Sequence, residues 1–178
     1  MKFLLIVAPI VIGLLAAALT VVLGGYLFPK AHTATRSLRL AAAPEQVWMV
    51  LTDFPSQPSW RPDLKSMEKL PDQDGRPVWK EVDKHGQAMP LQIMEFLPPS
   101  RLVTRIADPS LPFGGTWTWE ITRDSGPAPA CRVRITEHGE VYNPAFRYIS
   151  RIIGHTMTMD AYLKALAIKF NQPPTLEP

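Results

Sequence analysis

Phe3 to Phe28 form a run of 26 uncharged, overwhelmingly apolar residues, closed off by Lys2 on one side and Lys30 on the other. A helix rises about 1.5 Å per residue and roughly 20 residues cross the hydrocarbon core of a bilayer, so this run is long enough to span with some tilt. Pro9, Gly13, Gly24 and Gly25 are compatible with a spanning helix when neighbouring groups satisfy the freed backbone, and Tyr26 stands where an interfacial aromatic belongs. The competing reading is a cleaved secretory signal, with Lys2 as a minimal basic flank and Ala31 to Ala34 as small residues for cleavage. Its apolar stretch exceeds the ~7 to 15 residues of a usual signal core, so residues 1–30 are expected to be a retained, single-pass N-terminal membrane anchor. Lys2 and the amino terminus on one flank, with Lys30, Arg36 and Arg39 on the other, give no charge asymmetry that would assign a side.

After a short linker at 31–35, residues 36–172 are expected to form one domain and 173–178 a tail. The formal charge of +3 comes from scattered Lys and Arg, with no basic run interleaved with aromatics, so nucleic acid is not an expected partner. Cys131 is the only cysteine and excludes an intramolecular disulfide. Five or six residues between Lys30 and the first strand would let the domain stray about 20 Å from a bilayer.

From Thr33 to Ala41 the pattern has a two-residue period and predicts a strand. Pro44 opens a short helix with the stripe Val47, Trp48, Val50 and Leu51, ending near Asp53, and the proline-rich Phe54 to Pro62 predicts a turn or one more helical turn. Strands follow at 64–70, 77–83, 89–97, 101–107, 114–123 and 130–142, separated by turn signals such as Asp74-Gly75 and His85-Gly86. Short links between consecutive strands predict an antiparallel meander. From Pro144 onward, Phe146, Ile149, Ile153, Met157, Leu163, Leu166 and Phe170 recur at helical spacing and predict one long closing helix. The expected class is α+β: a curved antiparallel sheet of about seven strands around a long C-terminal helix, preceded by one transmembrane helix.

Three segments carry a family resemblance: "RLAAAPEQVWMVLTDFPSQPSWRPDL" (39–64), "GTWTWEI" (115–121) and "ITEHGEVYNPAFRYISRIIG" (135–154). With these, the soluble part resembles the polyketide cyclase/dehydrase and lipid-transport group of the SRPBCC, or START-like, helix-grip superfamily. The resemblance implies a helix-grip fold with a pocket for a hydrophobic ligand. It implies no reaction, since one fold hosts many chemistries.

Strand alternation places Trp117, Trp119 and Ile121 on the inner face, and leaves Glu120 outside to pair with Arg132 or Arg134. If alternation runs on past Ile135, Glu137 points into the cavity, where burial would raise its pKa and suit it to act as acid, base or ligand anchor. A bend near Gly139 would instead turn it to the rim or towards Arg147. Trp60 either gates the pocket mouth or caps the core, while Trp79, Met94, Phe113, Tyr142, Phe146 and Met157 complete the expected lining. His32 is read in the linker, His85 in a turn, and His155 on the long helix facing solvent or cavity. His138 and Glu140 share a strand face without a third ligand, so no metal site is expected, nor any other cofactor.

These readings converge on a binding module held at a membrane through residues 3–28, taking up a lipid, isoprenoid or polyketide-like molecule. Two alternatives stay open: a cyclase or dehydrase using Glu137 with Tyr142 or His155, and a protein-interaction module with a filled core.

Overall fold

The computed structural model describes residues 2–177; Met1 and Pro178, the outer ends of the expected anchor and tail, lie outside the described residues. Helix α1 covers Lys2–Leu27, and from Pro9 onward its side chains are mostly exposed. Among the described residues it is the one helix long and apolar enough to cross a membrane. Strand β1 (Ala31–Leu40) begins only three residues later. Residues 31–35 are therefore strand and not linker, because the period-2 alternation of Leu40, Leu38 and Arg36 continues back through Ala34 to His32. The domain consequently sits directly against the end of α1, with no 20 Å leash.

Helix α2 (Pro44–Thr52) starts on Pro44, with the Gln46 side chain accepting a hydrogen bond from the Ala43 N–H. It is followed by a turn of 3-10 helix at Phe54–Ser59. Six strands then run β2 (Leu64–Gln73), β3 (Arg76–Asp83), β4 (Ala88–Leu97), β5 (Arg101–Ile106), β6 (Phe113–Arg123) and β7 (Cys131–Val141). The β2–β3 turn places Asp74 and Gly75 both at positive φ, the conformation for which an Asp-Gly pair is suited. β1 pairs with β7 over ten residues, from Ala31 opposite Glu140 to Leu40 opposite Cys131, and a two-residue β8 (Leu176–Glu177) adds at its outer edge. The eight strands form one antiparallel sheet in the order β2-β3-β4-β5-β6-β7-β1-β8.

The C-terminal helical run is divided. α3 (Pro144–Ile153) is capped by Asn143, whose Oδ1 accepts from the Phe146 N–H, and ends at Gly154 with φ +94°. α4 (Met157–Lys169) then packs across the sheet, where Met159, Tyr162, Leu163 and Leu166 meet Leu38, Leu40, Val133 and Ile135 in the core. The single long helix expected from apolar spacing is thus two helices, because Gly154 adopts a backbone conformation that a helix excludes. Glu120 pairs with Arg101, its direct β5 partner, rather than with Arg132 or Arg134 on β7; Arg132 instead binds Glu177.

α3 packs against α1 at Gly24 and Gly25 and against Phe28 just past its end, whose ring lies 6.0 Å from that of Tyr148. A Cβ on Gly25 would collide with the Pro144 carbonyl, and one on Gly24 with the Tyr148 ring. Pro29 has no N–H, so the Gly25 carbonyl lacks its normal partner four residues on. The buried Arg147 supplies one: Nη1 donates to the carbonyls of Gly25 (3.1 Å) and Phe28 (3.2 Å), Nε to Val141 (3.1 Å) and Nη2 to Tyr142 (3.2 Å). A cation at a helix C-terminus is also favoured by the helix dipole.

Candidate functional site

The sheet curls away from α3 and the start of α4 and leaves a cavity of about 640 Å³. That lies within the ~300 to 1,000 Å³ range of small-molecule sites. A much smaller void of about 20 Å³ lies near Trp79, Phe54 and Leu102.

The large cavity is walled by aromatics from β6 and the helices. Trp117 and Trp119 lie 5.5 Å apart by ring centroid, and Tyr162 is 6.5 Å from the first and 6.0 Å from the second. Phe113 and Phe146, with rings 6.5 Å apart, stand on the same wall system together with Met157. Of the sequence-derived lining, Phe113, Trp117, Trp119, Glu137, Phe146 and Met157 border this cavity.

Four expected residues do not. Trp60 packs edge-on against Tyr162 (5.5 Å), which stands between it and the cavity. Trp79 packs at a tilt against Phe54 (5.0 Å) beside the small void, because the 3-10 turn fills the space in front of it. Met94 falls at a bulge: Ile93 faces Thr104 and Glu95 faces Val103, leaving Met94 unpaired and out of phase with the inner face. Tyr142 follows the last β7 residue, Val141, which takes the inward place, so Tyr142 is exposed with its hydroxyl towards Glu140.

Glu137 faces the cavity, and Arg147 is occupied with the end of α1. His32 Nε2 and Glu137 Oε1 are 3.2 Å apart, within hydrogen-bond distance. The His155 ring stacks on His32 with centroids 3.7 Å apart. Gly139, opposite His32 in the β1–β7 ladder, makes this possible, since a Cβ there would overlap the imidazole and crowd the Glu137 carboxyl. Burial raises the Glu137 pKa above the ordinary carboxylate range, with the Trp117 indole and His155 partly offsetting it. Burial lowers the pKa of His32, and burial and then the neighbouring His32 lower that of His155. Carboxyl and imidazoles thus all lean towards their neutral forms, which suits a weakly polar cavity.

Elsewhere on the cavity wall, Arg61 is held by Glu81 (2.6 Å), Asp63 (2.7 Å) and Gln57 (3.0 Å), with its guanidinium 4.9 Å over the Tyr162 ring. Burial opposes its charge, but Glu81 and Asp63 outweigh that, while burial drives the Tyr162 pKa upward. Behind this wall two fully buried donors, Trp119 Nε1 and Arg61 Nε, have no protein acceptor among the described residues. Sequence reasoning missed His32, Arg61 and Tyr162. For His32 the signal existed, in the β1 alternation carried two steps further back; Arg61 and Tyr162 come together only through the fold. Among the described residues no group of three His, Cys, Asp or Glu side chains could hold a metal.

Residues 31–166 match the family model for polyketide cyclase / dehydrase and lipid transport. The fold is similar to a START superfamily protein from Mycobacterium smegmatis (19% identity, 79% of this chain and 97% of that one, TM-score 0.61). It is equally similar to the Zhui aromatase/cyclase from Streptomyces sp. R1128 (16% identity, 79% and 94%, TM-score 0.61). A conserved protein from Geobacillus kaustophilus has a TM-score of 0.63 at 16% identity over 79% of this chain and 95% of that one. No curated protein sequence matches the chain. At these identities the neighbours speak for the fold alone.

Proposed function

Because this chain belongs to the polyketide cyclase/dehydrase and lipid-transport family, we propose that its cavity takes up a hydrophobic small molecule while α1 fixes the domain to a bilayer. The observation that carries this reading is the cavity itself: about 640 Å³, with Trp117, Trp119, Phe113 and Phe146 along its walls. Burying apolar ligand surface there gains about 25 cal/mol per Å², so micromolar affinity, about −8 kcal/mol, needs few polar contacts. A lipid, an isoprenoid or a polyketide-like molecule suits a cavity with such walls. The anchor role of α1 is supported by its length, its uncharged composition and its outward-facing apolar side chains.

Native mass spectrometry of the detergent-purified full chain, with solvent extraction of what co-purifies, tests the cavity. A stoichiometric apolar molecule is the expected result. A domain that stays empty after incubation with lipid, isoprenoid and polyketide panels removes the binding role. Extraction of membranes with alkaline carbonate tests the anchor: release of the chain into the supernatant refutes it.

One observation favours a cyclase or dehydrase as a second reading, the His32–Glu137 pair inside the cavity. A carboxyl and an imidazole within hydrogen-bond distance of each other beside a bound carbonyl compound have the composition of a general acid–base pair. Conversion of a bound ligand that Glu137→Gln abolishes, with ligand occupancy unchanged, would favour this reading.

A further inference from the structure

α3 is the most lopsided helix of the domain. Its inner side carries the buried Arg147, and its outer side carries Ile149, Ile152 and Ile153, exposed by 45%, 71% and 57%. Phe146 (50%) and Met157 (61%) extend this exposed apolar surface to the rim of the cavity. Contiguous exposed apolar surface of this kind marks an interaction site.

The place of α3 identifies the partner. It packs on the last turn of α1 at Gly24 and Gly25 and on Phe28 just beyond, where Leu23 and Leu27 are also exposed. One helical turn rises about 5 Å, so α3 sits alongside the final ~5 Å of the span. An interfacial amphipathic helix lies at a depth of about 5 to 10 Å. Exposed Lys30 and Arg151 flank the patch at the level expected for headgroups. Arg147 leaves α3 little freedom to take another depth, because it ties that helix to the Gly25 and Phe28 carbonyls.

We propose that α3 lies in the bilayer interface with Ile149, Ile152 and Ile153 among the upper acyl chains, so that the cavity rim at Phe146, Gly154 and Met157 opens onto lipid and not onto water. A hydrophobic ligand then passes between bilayer and cavity without crossing the aqueous phase. This rests on the reading of α1 as a membrane anchor.

The test uses the full chain in phosphatidylcholine–phosphatidylglycerol vesicles, labelled with an environment-sensitive fluorophore at Ile152→Cys, at Leu19→Cys in α1 and at Asp72→Cys near the β2–β3 turn. The native Cys131 is fully buried and its thiol pKa is pushed up to about 11, chiefly by burial, so it does not compete for label. Lipids carrying a nitroxide in the acyl chain are expected to quench positions 152 and 19 alike and to leave 72 bright. Quenching at 19 with a bright, water-like label at 152 overturns the inference and leaves the anchor standing. A blue-shifted but unquenched label at 152 means that a protein surface, including a second copy, covers this face, and overturns it as well. A label at 19 that is not quenched overturns the anchor reading itself, and this inference with it.

Discussion

At the scale of single residues, Glu137 and the two histidines around it carry the sharpest expectations. Glu137 binds its proton more readily folded than unfolded, so its ionisation works against folding above its raised pKa, and that handicap fades as pH falls towards the ordinary 4.5. Glu137→Gln keeps hydrogen-bonding capacity without the charge. Its Tm should exceed that of the parent chain at neutral pH, with the gain vanishing by about pH 4.5. His32 and His155 have the opposite sign: both bind protons less readily when folded, so stability is lost as pH falls below 6.5. His155→Gln should flatten that acid limb in a Tm-versus-pH series. Gly139→Ala forces a methyl into the His32 ring and should cost about 1 to 3 kcal/mol in denaturant unfolding. Glu137 was legible because two-residue alternation from Val133 and Ile135 runs unbroken to it. Met94 was not, because a bulge, which reverses the phase, leaves no mark in the side-chain pattern.

At the scale of elements, the break at Gly154 shows what periodicity conveys and what it leaves out. Phe146, Ile149, Ile153 and Met157 share helical spacing with Leu163 and Leu166, yet the first group is exposed and the second buried. Spacing reports an apolar stripe and is silent on what covers it. Gly154→Ala places a side chain at φ +94° and should destabilise the α3–α4 junction by about 1 to 3 kcal/mol. Arg147→Met removes four hydrogen bonds from a buried guanidinium and frees the end of α1. A loss of about 1.5 to 3 kcal/mol in unfolding of the detergent-solubilised chain is expected. The role of Arg147 could not be read from sequence, since its partners at Gly25 and Phe28 lie about 120 positions away and are backbone carbonyls, which every residue has.

For the whole molecule, the β2–β7 meander and the fold class followed from turn residues and alternation, because local chemistry and global architecture agree along nearly all of it, whereas the place of β1 beside β7 did not. The cavity followed from a curved sheet closed by a helix and from the resemblance; its volume depends on how far the sheet curls from α3 and α4, which no local pattern records. Filling it gives a test at this scale. Ile106→Trp introduces an indole at the cavity wall and should weaken uptake of an apolar ligand by at least about tenfold, about 1.4 kcal/mol, while the far-UV spectrum stays unchanged. Ligand titration should likewise perturb the emission of Trp117 and Trp119, and replacing either with Phe should reduce that signal.

The pairing of β1 with β7 bears on how such a chain is made. α1 and β1 leave the ribosome before the strands and helices that hold them: the ladder partner of Ala31 is Glu140 and the donor for the Gly25 carbonyl is Arg147, both synthesised more than a hundred residues later. Contacts of such long sequence separation close late in folding. β1 therefore stays unpaired during synthesis until β7 has emerged, and the junction between α1 and the sheet closes only once α3 has followed.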